Sequence, residues 1–226
     1  MRRKIVIAID GYSGTGKSST ARTVASKLGY RYIDSGAMYR AVTFAFLQHS
    51  VDMNSTLDVI SALDNIQLDF KVNEVGDSII HLNGVSVEEK IRTPQVNEKV
   101  SAVAALSEVR KKMVAKQQQF GNEKGIVMDG RDIGTVVFPR AELKIFMTAA
   151  VAVRAERRKL EMEQSGIYIE LKEVEKNLIE RDQKDTTRAD SPLIKASDAI
   201  EIDTSDLTFI DQVNKIVEQA ELIINS

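Results

Sequence analysis

Gly11-Tyr12-Ser13-Gly14-Thr15-Gly16-Lys17-Ser18 lies between an apolar run, Ile5 to Ile9, and a stretch from Lys17 to Leu28 in which Ala21, Val24, Ala25 and Leu28 recur at i, i+3, i+4 and i+7. The run reads as a strand and the stretch as an amphipathic helix, stopped by Gly29. A glycine-rich loop in that context lets the backbone wrap closely, so that several N–H groups point at one anion while the helix adds the positive end of its dipole. Every fixed position of G-x-x-x-x-G-K-[ST] is filled, so the loop reads as a cradle for the phosphates of a nucleoside triphosphate. Lys17 is then expected at the β- and γ-phosphates and the Ser18 hydroxyl at Mg²⁺, with Ser19 closing the donor segment. The motif by itself does not separate kinases from GTPases or ATPases.

Further strand-like runs follow at Tyr30 to Ile33, Ile126 to Met128, Leu143 to Met147 and Ala199 to Ile202, alternating with helical stretches. This is the pattern of an α/β protein with a central parallel five-stranded sheet flanked by helices. Between about Asn65 and Val87 the pattern changes: Leu68, Phe70 and Val72 alternate with polar residues, Gly76-Asp77 marks a turn, and Ile79, Ile80 and Leu82 precede a second turn at Asn83-Gly84, before Val85 and Val87. A small antiparallel insert of up to three strands is expected there. A polar helical block runs from Pro94 to Gln119, where Ser107-Glu108 offers a cap for a second helix. Residues 151 to 188 read as charged helices interrupted at Ser165-Gly166, and a last helix runs from about Leu207 to Ile224.

Composition narrows the function classes. A chain of 226 residues, 43% hydrophobic and 28% charged, can bury a sizeable core and has no low-complexity tail. The net charge of −2 argues against a general nucleic-acid or anionic-membrane surface. Without cysteine, and with only His49 and His81 far apart in sequence, a disulfide, a sulfur-ligated zinc or a histidine triad is not expected. Ile5 to Ile9 is too short for a signal segment and Ile145 to Val153 too short for a membrane span, so a cytoplasmic location is the default expectation.

Three more segments carry chemistry: Asp34-Ser35-Gly36-Ala37-Met38-Tyr39-Arg40, then Asp129-Gly130-Arg131-Asp132-Ile133-Gly134-Thr135, then Arg181-Asp182 through Asp185 to Arg188. On a helix starting near Ser35, Ser35 and Tyr39 share a face, and with Arg40 adjacent, a hydroxyl, a phenol and a guanidinium can converge on one phosphate. The alternative is that Ser35 only caps the helix and Tyr39 packs. Asp129 follows an apolar strand, where P-loop enzymes keep an acidic group beside Mg²⁺, and is expected in the metal's hydration shell. Arg131 offers a fork suited to phosphate, and Asp132 can accept a hydrogen bond from an exocyclic amine. Arg181, Asp185 and Arg188, at i, i+4 and i+7, form one stripe on a helix; a solvated ion-pair ladder has the same spacing.

Together with the phosphate loop and the insert, these segments closely resemble bacterial cytidylate kinase over essentially the whole chain. The resemblance implies a single P-loop kinase domain over 1–226, with a core of 1–34, 120–150 and 189–226, a monophosphate-binding region with the insert at 35–119, and a lid with adjoining helices at 151–188. It implies ATP with Mg²⁺ as donor and CMP or dCMP as acceptor. Charge and hydropathy lead one to expect no nucleic-acid or membrane partner, and a monomer is the default expectation. It places the acceptor phosphate near Ser35 and Arg40, and gives Arg181 and Asp185 to the sugar and Arg188 to phosphate. Asp132, Ser101 and Arg110 it gives to cytosine, which presents an N4 donor and N3 and O2 acceptors. Lys17, Arg131, Arg158 and Arg188 are the expected catalytic residues. Of the lid arginines Arg154, Arg157 and Arg158, the spacing does not say which reaches the transferring group. Ser101 and Arg110 are nine apart and would face opposite ways on one straight helix, so a break near Ser107 is required. The competing readings are a kinase for UMP, AMP or a hydroxylated metabolite, and a non-enzymatic module in which the loop serves as a nucleotide switch.

Overall fold

In a computed structural model, which describes residues 3–74, 76–164 and 166–226, the chain divides into two compact units: Met1–Tyr32 with Glu123–Ser226, and Ile33–Asn122. The larger sheet is ordered β2-β6-β1-β7-β8, from β1 (Val6–Gly11), β2 (Arg31–Asp34), β6 (Ile126–Gly130), β7 (Leu143–Thr148) and β8 (Ile200–Asp203). β1 pairs in parallel with β6 and β7, and β7 with β8, so the strand that feeds the phosphate loop lies in the middle. Each of the five expected strands is present. β1 is buried throughout because it is covered on both faces, which is why its sequence reads as a continuous apolar run.

Helix α1 (Lys17–Leu28) has the expected bounds. Gly29 ends it in the left-handed region at φ +67, and the N–H of Tyr30 returns to the Ala25 carbonyl at 2.8 Å. α1 and α8 (Phe209–Asn225) pack on the sheet, where Ala21, Val24, Val213, Ile216 and Ala220 join Ile7, Ile9 and Ile145 in one core. Helices α6 (Val151–Gln164) and α7 (Leu171–Thr187) pair around a smaller cluster of Ala155, Val174 and Leu178. Of the expected interruption, Gly166 stands at φ +77, and Ser165 lies outside the described residues.

The second unit contains α2 (Ser35–Gln48), α3 (Thr56–Asp64), α4 (Pro94–Ala105), α5 (Ser107–Phe120) and the antiparallel sheet β3 (Leu68–Val72), β4 (Ser78–Leu82) and β5 (Val85–Ser86). The turn between β4 and β5 has φ +49 at Asn83 and +83 at Gly84, the two positive angles that a tight hairpin matching strand twist requires. β5 is shorter than expected: it stops at Ser86, although the N–H of Val87 still reaches the Ile80 carbonyl at 3.2 Å. Helix α3 and a short 3-10 turn at Lys90–Arg92 were not anticipated.

The expected break in the helical block is present, with one correction. Leu106, at φ −70 and ψ 122, is the extended residue, and it caps α5 without a side-chain bond; Ser107 is the first residue inside the helix and not its cap. Among the described residues no helix is long and apolar enough to cross a membrane.

Candidate active site

The phosphate loop is held from several sides. Thr15 Oγ1 donates to the Tyr12 carbonyl at 3.0 Å, and the Thr204 hydroxyl donates to the Thr15 carbonyl at 3.2 Å. Arg154 is buried; its Nη1 donates to the Ser13 carbonyl at 3.1 Å and to Asp182 Oδ2 at 2.7 Å, and its guanidinium carbon lies 5.3 Å from the centre of the Tyr12 ring. Of the three lid arginines this is the one that touches the loop. Arg157 donates to the Thr204 carbonyl at 2.7 Å, whereas Arg158, expected at the phosphoryl group, pairs with Glu161 at 3.0 Å on a part-exposed face.

Lys17 Nζ donates to the Tyr12 carbonyl at 2.8 Å. Burial, and after it the neighbouring Arg131, lower its ammonium to about 7, against the opposing pull of Asp129. At the end of β6, Asp129 accepts from the Ser18 hydroxyl at 2.8 Å and from the Tyr32 hydroxyl, also at 2.8 Å. The two groups expected at a metal therefore meet, and a tyrosine the sequence reading did not use orients the carboxylate.

Beyond Asp129 runs a chain of alternating charge. Arg131 Nε donates to Asp185 Oδ2 at 2.8 Å, Asp185 Oδ1 lies 3.9 Å from Arg188, and Arg188 lies 3.8 Å from Asp132. Burial alone would raise Asp185, but Arg131, then Arg181 and Arg188, hold it below the usual carboxylate range. One expectation is corrected: α7 stops at Thr187 and Arg188 is extended at φ −62 and ψ 144, so the three residues do not form a single helical stripe. Instead the chain folds back, Arg188 Nε donates to the Ser191 carbonyl at 2.8 Å, and the fold-back turns Arg188 toward Asp132 as well as Asp185.

Asp10, at the end of β1, was also not anticipated. Buried, it accepts the N–H groups of Ile133 and Gly134 at 2.8 and 2.7 Å. Burial, only partly offset by those two bonds, raises it to about 6. The folded protein then binds the Asp10 proton more tightly than the unfolded chain, so this group's contribution to stability is full below pH 3.8 and is lost progressively as pH rises to about 6. Relative to an Asp10→Asn variant the parent should lose about 3 kcal/mol across that window. Urea midpoints of both proteins at pH 4.5 and pH 7 check the sign. An acidic residue inside an otherwise apolar strand was the available signal.

The second unit holds the other candidates. Asp34 caps α2 by accepting the Ala37 N–H at 2.9 Å and faces Arg92 at 3.4 Å, so the helix does not use Ser35 as its cap. Tyr39 is buried, with the Arg110 guanidinium carbon 5.6 Å from its ring centre. Arg110 Nη1 also donates to the Ala104 carbonyl at 3.2 Å, across the break at Leu106. Arg40 bonds Asn97 of α4, and Ser101 lies one turn further along that helix, half-buried. The break thus frees Ser101 and Arg110 from the opposition that one straight helix would impose.

Residues 7–222 match the family model described as cytidylate kinase. The chain belongs to the cytidylate kinase family. It is 51% identical over 219 residues to a cytidylate kinase of Cytophaga hutchinsonii, covering 96% of this chain and 94% of that one. With a cytidylate kinase of Flavobacterium johnsoniae the figures are 52% over 220 residues and 96% of both chains, and with one of Bacillus thuringiensis 46% over 217 residues and again 96% of both. Among solved structures, a shikimate kinase from Bacteroides thetaiotaomicron superposes with a TM-score of 0.52 at 14% identity, covering 99% of this chain and 100% of that one. A gluconokinase from Sinorhizobium meliloti gives 0.50 at 15%, covering 100% and 97%. These two likenesses concern the fold alone: a cytidylate kinase family member built on the P-loop kinase core.

Proposed function

We propose that the chain transfers the γ-phosphoryl group of ATP to CMP and dCMP, giving CDP and dCDP. The observation that carries this reading is the family match over residues 7–222, and the site supplies the means. The attacking group is a phosphate oxygen that is already anionic, so no strong general base is required, and catalysis rests on in-line positioning and charge neutralisation. Lys17, Arg131 and Arg188 are the charge-bearing catalytic groups, with Arg158 contributed from the lid at 151–188. Gly11 to Ser19 form the donor site. Ser35, Tyr39 and Arg40 take the acceptor phosphate, Arg181 and Asp185 its sugar, and Asp132 with Ser101 and Arg110 its base. The Asp132 carboxylate favours the N4 amino group of cytosine and disfavours the O4 of uracil.

Mg²⁺ is part of the reading. Among the described residues no group of three or more histidine, cysteine, aspartate or glutamate side chains could hold a metal by itself. Ser18 and Asp129, 2.8 Å apart, are the residues that would hold it, Asp129 through water. When bound, the ion neutralises charge on the β- and γ-phosphates. A monomer in the cytoplasm completes the proposal, and light scattering tests the oligomeric part.

ATP consumption measured against CMP, dCMP, UMP, AMP, GMP and shikimate tests the acceptor. The cytosine pair should give the highest kcat/KM. Faster turnover with any acceptor outside that pair would overturn the specificity while leaving the fold untouched.

A further inference from the structure

Asp10 directly precedes the phosphate loop, yet both oxygens of its side chain are turned to a different segment. They accept the N–H groups of Ile133 and Gly134, the first two residues of a π-helical turn, Ile133–Val137. The wide hydrogen-bond ring of such a turn leaves its leading N–H groups without partners inside the turn, and Asp10 supplies them. The N–H of Ile133 belongs to the peptide plane whose rotation sets ψ of Asp132. Asp132 stands at φ −145 and ψ 23, away from the regular strand and helix regions, so its conformation is imposed from outside. The far end of the segment is gripped too: Lys144, also buried, donates to the Pro139 carbonyl at 2.6 Å. Between the two grips Gly134 is crowded, since an added Cβ would lie 3.2 Å from Lys144 Cδ and 3.3 Å from Asp10 Oδ2.

We propose that Asp10 is a positioning residue for acceptor recognition: by fixing the peptide that follows Asp132 it aims the Asp132 carboxylate and the adjoining Arg131 fork. The proposal rests on the reading of Asp132 as the group that recognises cytosine. Asp10 does not itself touch substrate in this scheme. It acts through the turn, and the two residues that lead into it, Arg131 and Asp132, join the charge chain through Asp185 and Arg188. A carboxylate suits this role better than an amide, because it accepts two converging N–H groups, whereas asparagine can accept with one oxygen and turns an NH₂ toward the other donor.

The test is acceptor selectivity, the ratio of kcat/KM for CMP to that for UMP, which does not depend on how much of a preparation is folded. In Asp10→Asn the ratio should fall about tenfold or more, with KM for ATP within about twofold of the parent. Gly134→Ala crowds the same turn while leaving the Asp10 carboxylate in place, and should move the ratio in the same direction; it decides the matter if Asp10→Asn does not fold. Asp132→Asn is measured alongside. If it alters the ratio while Asp10→Asn and Gly134→Ala do not, the positioning role is overturned. If none of the three alters it, the reading of Asp132 on which the proposal rests has failed.

Discussion

Replacing Lys17 with alanine should lower kcat by about 100-fold or more while the protein stays folded. The ammonium is buried and bonded to the Tyr12 carbonyl, and its proton is held weakly, first through burial and then through the neighbouring guanidinium of Arg131. An arrangement of this kind is costly for the protein alone and becomes favourable when negative charge arrives, which suits a group meant to meet phosphate. Its removal relieves a desolvated charge, so the thermal midpoint should stay close to that of the parent. Lys17→Met, which retains most of the apolar stem, separates lost charge from lost packing. Turnover equal to the parent in both variants would sink the assignment of the loop as the donor site.

The second large effect concerns the other end of the loop and acts on the fold. Gly11 is paired with Met147 across β1 and β7 and has φ +147, and a Cβ there would come 2.1 Å from the Met147 carbonyl oxygen. Neither partner yields easily, because the clash is with backbone: Gly11–Met147 closes the β1–β7 ladder, and Met147 is held on its other side by Ile202 of β8. Gly11→Ala should therefore destabilise by about 3 kcal/mol or more, enough to lower the melting temperature of a protein this size by roughly 10 °C or prevent folding altogether. Gly16 offers the contrast. It has φ +83, but the nearest atom to an added Cβ is the flexible end of Gln212, at 3.5 Å. Gly16→Ala should cost only about 1 kcal/mol in stability, from the backbone angle, and reveal itself in ATP affinity. Parallel melting curves and ATP titrations of the two variants check the distinction; a Gly11→Ala protein as stable as the parent would refute the clash.

Much of this was legible because the signals were local. A glycine loop between an apolar run and a 3.6-residue period needs no tertiary information, and the bounds of α1 followed from periodicity and Gly29. The break was legible to within a residue from the Ser107-Glu108 pair, although it is Leu106 that stands extended as the cap. What escaped was decided by long-range or irregular geometry. Arg188 leaves α7 as the chain folds back on itself, with the Leu193 N–H on the Asp185 carbonyl and Arg188 Nε on the Ser191 carbonyl. No glycine marks that end, so a continued stripe was the natural extrapolation. Tyr32 and Asp10 escaped since their partners, Asp129 and the Ile133–Gly134 peptides, lie about a hundred residues away in sequence. The lid arginines could not be ranked because Arg154 and Arg158 have the same spacing relation, and only the pairing of α6 with α7 buries the first and leaves the second part-exposed.

The place of β2 in the sheet decides where the chain can be cut and rejoined. It is an edge strand, and the polypeptide passes from one compact unit to the other at two points, one within this strand, between Tyr32 and Ile33, and one just before β6. A segment spliced in at such a margin can lengthen, shorten or be exchanged without interrupting any ladder in the middle of the sheet, where the triphosphate loop is anchored. Grafts of the second unit between family members should therefore be joined after β2 and before β6, and a chimera so built should keep the parent's melting temperature.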